Sequence, residues 1–424
     1  MNNIEMEAIK RGLRKYFNFD EEKINRIHSM NEVKLSQLKT NMQKLENDEQ
    51  KAKNENIRRK LEKIFARNPK LTKQRILGNG IGGNLAKGDP LKLKKPKKGS
   101  NIGIPLRHKQ EKLKPLSVDP NRKPKILFMT DVKGWAWWIK SEYIKKYLSD
   151  EFDIDIKNLL EDNGAKLFNR VNMQGYDLYF SYGFSYIDFL RGVPKNKKVC
   201  GVTAHRAKNV IFPKMKMAGH HHANSMMLLR ELQDMGFKKA YYVPNGVNEE
   251  LFKPIKPIRK EGDLIVGHVG KECPAKGQRE FILPAIQATG CKSATNLRTY
   301  KDKLPHNEMP KIYNDMDVFM VASVEDGTPN PALEAAACGR PIISNQIGNM
   351  PEFIKDGWNG FIVPRKLSAY IDKINYFKKN RSELIRMGNN ARKTVEEGWT
   401  WRLQSENYRK MFHDIFGMNK NATL

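Results

Sequence analysis

From residue 125 onwards, short apolar runs alternate with longer segments whose hydrophobic residues recur every three or four positions. A run of four to eight apolar residues is typical of a buried strand, and three-four spacing is typical of an amphipathic helix such as residues 139–148. This alternation predicts an α/β fold with parallel sheets. The predicted strands occupy residues 125–131, 177–183, 198–205, 264–270, 318–322 and 342–344.

The clearest unit in this pattern runs from residue 318 to residue 344. Its first strand is followed by a loop of turn-forming residues, 326–330. Pro331 suits the first position of a helix, Gly339 ends that helix, and Pro341 prevents its continuation. The unit therefore predicts a loop and a helix N-terminus at the carboxyl edge of the sheet, where phosphate binds well.

Two acids of this unit, Asp326 in the loop and Glu334 inside the helix, are eight positions apart. This arrangement resembles the acid-x7-acid signature of the retaining GT-B glycosyltransferases of the family 4 type, which use nucleotide sugars. The family usually has Glu at the first position, where this chain has Asp326 preceded by Glu325. The resemblance leaves open which of these two carboxylates faces the sugar.

Further stretches resemble the same family in the same order. Residues 242–254 are similar to the hinge between its two domains, which places the hinge near Asn245 and Gly246. Lys271 follows a predicted strand, and Lys276 lies five residues later, directly before Gly277. These two lysines resemble the two basic positions of the family that contact the donor diphosphate. Three more stretches match, namely residues 305–313, 348–352 and 356–364.

The resemblance covers roughly residues 124–416 and implies the GT-B fold, with two Rossmann-like domains facing across a cleft. A helical and basic, partly disordered N-terminal extension is expected to precede them. The predicted division is a helical segment 1–66, a basic strap 67–123, an acceptor domain 124–250, a donor domain 251–400 and a helix 401–424 that crosses back to the first domain.

The resemblance also implies roles for individual residues. The reaction would be retaining and independent of metal, without a cofactor, and its co-substrate would be a nucleotide sugar, expected to be UDP-glucose or UDP-N-acetylglucosamine. The implied catalytic residues are His205, Asp326 and Glu334, with Glu334 holding the donor ribose. The implied diphosphate contacts are Lys271, Lys276, Gly327, Thr328 and Asn330, and the implied acceptor cleft contains Gly134 and Trp135.

The first 66 residues show a different pattern, a single apolar stripe flanked by charges. Such a stripe predicts a helical hairpin or a short coiled coil. It would pack against itself, against a partner subunit or against the catalytic body. The stripe consists of Ile24, Ile27, Leu35, Leu38, Met42 and Leu45.

Charge separates the next segment from the rest of the chain. The net charge is +30, and residues 51–125, with 23 basic and 5 acidic residues, supply +18 of it. Because no aromatic residue occurs between Phe65 and Phe128, we expect an extended or disordered segment whose nucleic-acid contacts are sequence-blind phosphate contacts. A merely solubilising linker is the alternative. The expected contacts are Lys92, Lys94, Lys95, Lys97 and Lys98.

Cysteine usage and hydropathy bear on location. The four cysteines, Cys200, Cys273, Cys291 and Cys338, have neither paired nor metal-ligand spacing, which favours a reducing compartment. There is no apolar run long enough to span a bilayer and no signal-peptide core, so a cytoplasmic protein without a transmembrane segment is expected. The run of histidines at residues 220–222 receives no role from the sequence.

The acceptor is the least determined part of the prediction. The charge favours DNA as a partner, with sugar transfer to hydroxymethylated bases of duplex DNA in a phage-type DNA modification. A cell-surface polymer such as teichoic acid, or a lipid at an anionic membrane face, is the alternative enzyme substrate. In a third hypothesis, of another class, residues 1–123 form an assembly or binding module that tethers the transferase.

Overall fold

The computed structural model describes residues 113–160, 174–298 and 304–418, all of which belong to one compact unit. The predicted N-terminal helices, nearly all of the basic strap and its five candidate lysines lie outside these residues. Within the described ranges, no helix is long and apolar enough to cross a membrane.

The first domain is a six-stranded parallel sheet in the order β2-β1-β3-β4-β5-β6. The four inner strands are short and almost entirely buried, as expected where helices cover both faces, and the two edge strands are mostly half-buried. The strands are β1 (Lys125–Thr130), β2 (Asp153–Asn158), β3 (Leu178–Ser181), β4 (Lys198–Val202), β5 (His220–Ala223) and β6 (Tyr241–Tyr242), and the helices are α1 (Ala136–Leu148), α2 (Lys208–Met215) and α3 (Met226–Asp234).

The second domain is a five-stranded parallel sheet in the order β11-β10-β9-β7-β8. Its strands are β7 (Ile265–Lys271), β8 (Lys292–Arg298), β9 (Val318–Val321), β10 (Ile342–Asn345) and β11 (Gly360–Val363). Its helices are α4 (Leu283–Thr289), α5 (Met309–Asn314), α6 (Asn330–Ala337), α7 (Met350–Phe353), α8 (Leu367–Lys379) and α9 (Arg381–Gly398).

The last helix, α10 (Trp401–Phe416), packs on the first domain. The Thr400 side chain caps its N-terminus by accepting a hydrogen bond from the Leu403 amide at 3.2 Å. Trp401 then stacks on Tyr143 of α1, with ring centroids 5.7 Å apart. Leu116 is also buried in this core, and its amide donates to the Ile415 carbonyl at 2.8 Å. The folded body therefore includes residues 113–118, which sequence analysis had placed in the strap.

Both sheets change winding direction at one point, between β1 and β3 in the first domain and between β7 and β9 in the second. In doubly wound sheets, ligands bind outside the carboxyl ends of the strands at this switch point. The prediction of two Rossmann-like α/β domains is confirmed. The loops that follow β1, β7 and β9 are consequently the first places to look for a site.

Candidate active site

A cleft of about 270 Å³ lies between the two domains and takes its lining from both. The loop after β1, the end of β7 and the start of α6 all reach it, so it joins the two switch points. Of the residues predicted from sequence, the cleft brings together Gly134, Trp135, Lys271, Asn330 and Glu334.

Glu334 is held in place by a side chain that sequence analysis missed. The hydroxyl of Tyr313, a fully buried residue of α5, donates to Glu334 Oε2 at 2.5 Å. The guanidinium of Arg340, itself 1% exposed, donates from Nε to the Tyr313 carbonyl at 3.2 Å. Because Tyr313 occupies one carboxylate oxygen, Glu334 presents a fixed acceptor to the cleft, as binding of a vicinal diol requires.

Two groups that favour anions line the same cleft as Glu334. Lys271 is the last residue of β7, where its side chain is exposed and lines the cleft. Helix α6 begins at Asn330 with Pro331 directly after it, and among the described residues no side chain caps this N-terminus. A cation beside an uncapped helix N-terminus is a suitable environment for a diphosphate.

Lys276 and Asp326 form an ion pair next to the cleft, and neither lines it. The Lys276 ammonium donates to both carboxylate oxygens of Asp326, at 2.7 and 2.6 Å. The Asp326 side chain is 13% exposed, whereas Glu325 is 45% exposed and pairs with Arg206 of the first domain. The structure thus separates the two acids: Asp326 faces inward to a lysine, and Glu325 bridges the domains at the surface.

The loop that carries these acids is docked on the first domain. A Cβ at Gly327 would lie 2.2 Å from Asn224 Oδ1 and 2.4 Å from the Thr203 carbonyl, so only glycine allows this approach. The hydroxyl of Thr328 donates to the Asn224 carbonyl at 3.2 Å. Gly327 and Thr328, predicted to bind diphosphate, contact the opposite domain in this arrangement.

His205 lies three residues beyond the end of β4 and outside the lining of the cleft. Its Nδ1 is 2.8 Å from Glu231 Oε1. Since a carboxylate only accepts, Nδ1 must carry a proton. The buried Nε2 has no hydrogen-bond partner among the residues that the structure describes. That atom remains available for a hydroxyl brought by a ligand.

The histidine run on β5 is structural. Each Nε2 is within hydrogen-bond distance of a backbone carbonyl: His220 of Asn196 at 2.9 Å, His221 of Met215 at 2.8 Å and His222 of Ser181 at 3.2 Å. Burial lowers the pKa of His222 to about 3, so its ring stays neutral. In the described part of the chain, no three His, Cys, Asp or Glu side chains converge as metal ligands.

On the first-domain side, Gly134 and Trp135 form the turn that leads into α1. Gly134 has a φ of +76°, a conformation that favours glycine. Trp135 lines the cleft, whereas Trp137 packs inward against Tyr182, with centroids 5.9 Å apart. Of the neighbouring tryptophans, Trp135 is therefore the one placed to meet a ligand.

One line of hydrogen bonds was not found from sequence. The Lys140 ammonium donates to Asn245 Oδ1 at 2.6 Å, and Asn245 Nδ2 donates to Asn330 Oδ1 at 2.7 Å. Lys140 is 2% exposed, and burial lowers its pKa to about 7. No sequence signal marks it, because a lysine on an amphipathic helix is ordinarily expected on the solvent face.

Comparison with known proteins finds a family match within the second domain. Residues 292–394 match the family model described as glycosyl transferases group 1. The chain is 29% identical over 158 residues to spore coat protein SA of Bacillus subtilis (strain 168), covering 37% of this chain and 42% of that protein. It is 28% identical over 175 residues to the capsular polysaccharide biosynthesis glycosyltransferase CapM of Staphylococcus aureus, covering 36% and 46% respectively. The chain thus spans less than half the length of these two curated relatives.

Solved structures agree on the fold. Sucrose-phosphate synthase from Thermosynechococcus elongatus superposes with a TM-score of 0.59 at 14% identity, covering 70% of this chain and 100% of that chain. HepE from Anabaena, in complex with UDP-glucose, superposes with a TM-score of 0.53 at 16% identity, covering 68% and 99%. At such identities the likeness concerns the fold. The chain therefore has the GT-B fold, with two doubly wound domains, and the segment of its second domain that contains Glu334 is similar to glycosyl transferases of group 1.

Proposed function

We propose that this chain transfers a sugar from a nucleotide-diphosphate donor, with retention at the anomeric carbon and without a metal ion. The observation that carries this proposal is the convergence of Lys271, the N-terminus of α6 and Glu334 in one cleft. The first two suit a diphosphate, and the third suits a ribose. Neutralising the departing diphosphate is the main electrostatic demand of the reaction, and fixed cations and amides can meet it.

The sugar would lie on the side of the diphosphate where the two domains meet. Asp326 and His205 are the proposed contacts to its hydroxyls, and Lys276 is the proposed second diphosphate cation. Lys276 and Asp326 are ion-paired at 2.6 Å. A bound donor would therefore contact the two side chains together, with its diphosphate at Lys276 and its sugar hydroxyls at Asp326. UDP-glucose or UDP-N-acetylglucosamine is the proposed donor, supported by a protein of the same fold that binds UDP-glucose.

For the acceptor we propose a polyanion, and duplex DNA with hydroxymethylated bases in the first place. The net charge of +30 and the concentration of +18 within residues 51–125 support an anionic acceptor. The candidate contacts are the strap lysines, which would grip phosphates without reading bases. Base selection would then come from the cleft, near Gly134 and Trp135.

A surface polymer such as teichoic acid, or a lipid, is the second candidate acceptor. The similarity to a spore coat protein and to a capsular polysaccharide glycosyltransferase favours this alternative. Both acceptors are anionic, so charge alone does not separate them. A role of residues 1–123 in self-association is a third possibility, and truncation would then change the oligomeric state.

A transfer assay with the full chain tests the proposed reaction. UDP-glucose or UDP-N-acetylglucosamine would be incubated in EDTA with duplex DNA containing 5-hydroxymethylcytosine, with unmodified DNA and anionic polymer as the other arms. We expect sugar on the hydroxymethylated DNA, with the donor's anomeric configuration by NMR. Transfer only to polymer would move the assignment to the second acceptor, and absence of transfer and of donor hydrolysis would contradict the proposed reaction.

A truncation tests the strap separately. Because Leu116 belongs to the core, the deletion should end at residue 110. If the strap binds about six phosphates, DNA affinity of the full chain should fall roughly 10³-fold between 50 and 200 mM salt. The truncated chain should bind DNA weakly with a flat salt profile and hydrolyse donor at the parental rate. Equal DNA affinity of the full and the truncated chain would rule out DNA binding by the strap.

A further inference from the structure

Lys140 is a buried cation without an acid. It is 2% exposed, and among the described residues no carboxylate pairs with it. Its ammonium instead lies over the rings of Tyr182 and Tyr408, 5.0 and 5.3 Å from their centroids, and donates to Asn245. Burying an unpaired ammonium costs folding free energy, so a purely structural role would be served better by an apolar side chain.

The chemistry of the ammonium fixes the direction of the hydrogen bonds that leave it. A protonated lysine donates only, so the amide oxygen of Asn245 must face Lys140. The amide nitrogen of Asn245 must then face Asn330, whose oxygen accepts at 2.7 Å. It follows that the remaining group of Asn330, its Nδ2, is turned away from Asn245.

This direction matters because Asn330 lines the cleft at the first residue of α6. Its Nδ2 has no hydrogen-bond partner among the residues that the structure describes, and Lys271 lines the same cleft. Were the two amides flipped, Asn330 would present an oxygen there and repel an anion. Orientation of two neutral amides thus decides whether this corner attracts or repels phosphate.

We propose that Lys140 is a positioning residue for the donor diphosphate, acting through Asn245 to keep the amide nitrogen of Asn330 turned into the cleft. The inference rests on the proposed nucleotide-sugar function. It assigns a role to the first domain and the hinge in binding the donor diphosphate, whose other proposed contacts come from the second domain. Lys140 itself touches no ligand.

Binding of UDP and uridine, measured by calorimetry at pH 6.5, tests this role. Lys140→Met should weaken UDP binding about 10-fold, the value of one hydrogen bond to a charged group, and leave uridine within about 2-fold. Asn245→Asp should weaken UDP further, because a carboxylate cannot donate to Asn330 and forces the flipped orientation. Lys145→Met, on the exposed face of the same helix, is the matched control and should bind like the parent.

A pH series on the parent and on Lys140→Met gives a second test of the same role. Of the groups that face Lys140, Tyr182 and Tyr408 have pKa values raised by burial and His222 has a pKa of about 3, so none of these changes charge between pH 6 and 9. Lys140, with a pKa of about 7, does. Affinity for UDP-glucose, whose diphosphate charge is constant over this range, should fall through pH 7 in the parent relative to Lys140→Met.

The outcomes distinguish a failure of the proposed function from a failure of the positioning role of Lys140. If the parent binds none of UDP, GDP or ADP, the proposed function fails, and the inference fails with it. If the parent binds UDP and Lys140→Met binds it equally well, or loses UDP and uridine to the same extent, the positioning role is wrong and the donor assignment stands.

Discussion

On the second domain's side of the cleft, Asn330 and Glu334 come from one helix, and Lys271 ends a neighbouring strand. In the first domain, Trp135 lines the cleft while Lys140 and His205 lie outside its lining, and the three come from two separate loops and a helix face. Local sequence spacing places the former residues, and tertiary packing places the latter. One side of such a site can therefore be found from a motif, while the other side requires the structure.

The largest expected effect comes from the motif-bearing side. Glu334→Ala removes the proposed ribose acceptor and leaves the Tyr313 hydroxyl without its partner. We expect kcat/KM for the nucleotide sugar to fall on the order of 10²-fold or more, with an unchanged circular dichroism spectrum. Glu397→Ala, at an exposed position of α9, is the control. Parental turnover by Glu334→Ala would show that the cleft is not the donor site.

The two acids of the loop give a finer test. Asp326→Asn removes the charge that faces Lys276, whereas Glu325→Gln removes only an exposed pair with Arg206. We expect Asp326→Asn to lower kcat by about 10-fold or more and Glu325→Gln to lower it by less than about 3-fold, since exposed ion pairs contribute little. The reverse order, measured in steady-state assays, would assign the sugar contact to Glu325.

These two acids also show how far sequence reasoning reaches. The spacing of Asp326 and Glu334 around Pro331 gave the strand–loop–helix unit and the anion-binding end of α6, because those are local properties. It could not decide between Glu325 and Asp326, since that depends on Lys276 and on Arg206 from the other domain. Nor could it find Tyr313, which reaches Glu334 across two packed helices.

In the first domain, most of the side chains discussed above could not be assigned a role from sequence. Apolar runs predicted β1, β3 and β4 but not β2, β5 or β6, and β4 ends at Val202, which leaves His205 in the loop rather than on the strand. The histidine run had no role in sequence because its partners are backbone carbonyls of distant segments. Lys140 carried no signal at all, since its burial arises only when α1, α10 and the hinge meet.

The lowered pKa of Lys140 also predicts how the free energy of unfolding changes with pH. Its pKa is about 7 in the folded protein, below the ordinary value of 10.5. Between these pH values the unfolded chain binds the proton and the native state does not, so the free energy of unfolding contributed by this group rises with pH. The buried lysine is therefore most destabilising at pH 7 and below.

Lys140→Met should remove that cost. We expect its Tm to exceed the parental value at pH 6 by a few °C, at about 2–4 °C per kcal/mol, and the difference to shrink by pH 9. Differential scanning calorimetry measures both. A lower Tm than the parent at pH 6 would mean that Lys140 is needed for packing.

The central claim, that the cleft between the two domains holds a nucleoside diphosphate without a metal, is tested most directly by calorimetric titration of UDP into the full chain in EDTA. We predict binding at one site per chain, weakened about 10-fold or more by Lys271→Ala, which removes the cation at the end of β7. Lys292→Ala, an exposed lysine at the start of β8, should leave binding unchanged. Binding that requires Mn²⁺ or Mg²⁺, or that is the same in Lys271→Ala and the parent, would contradict the account.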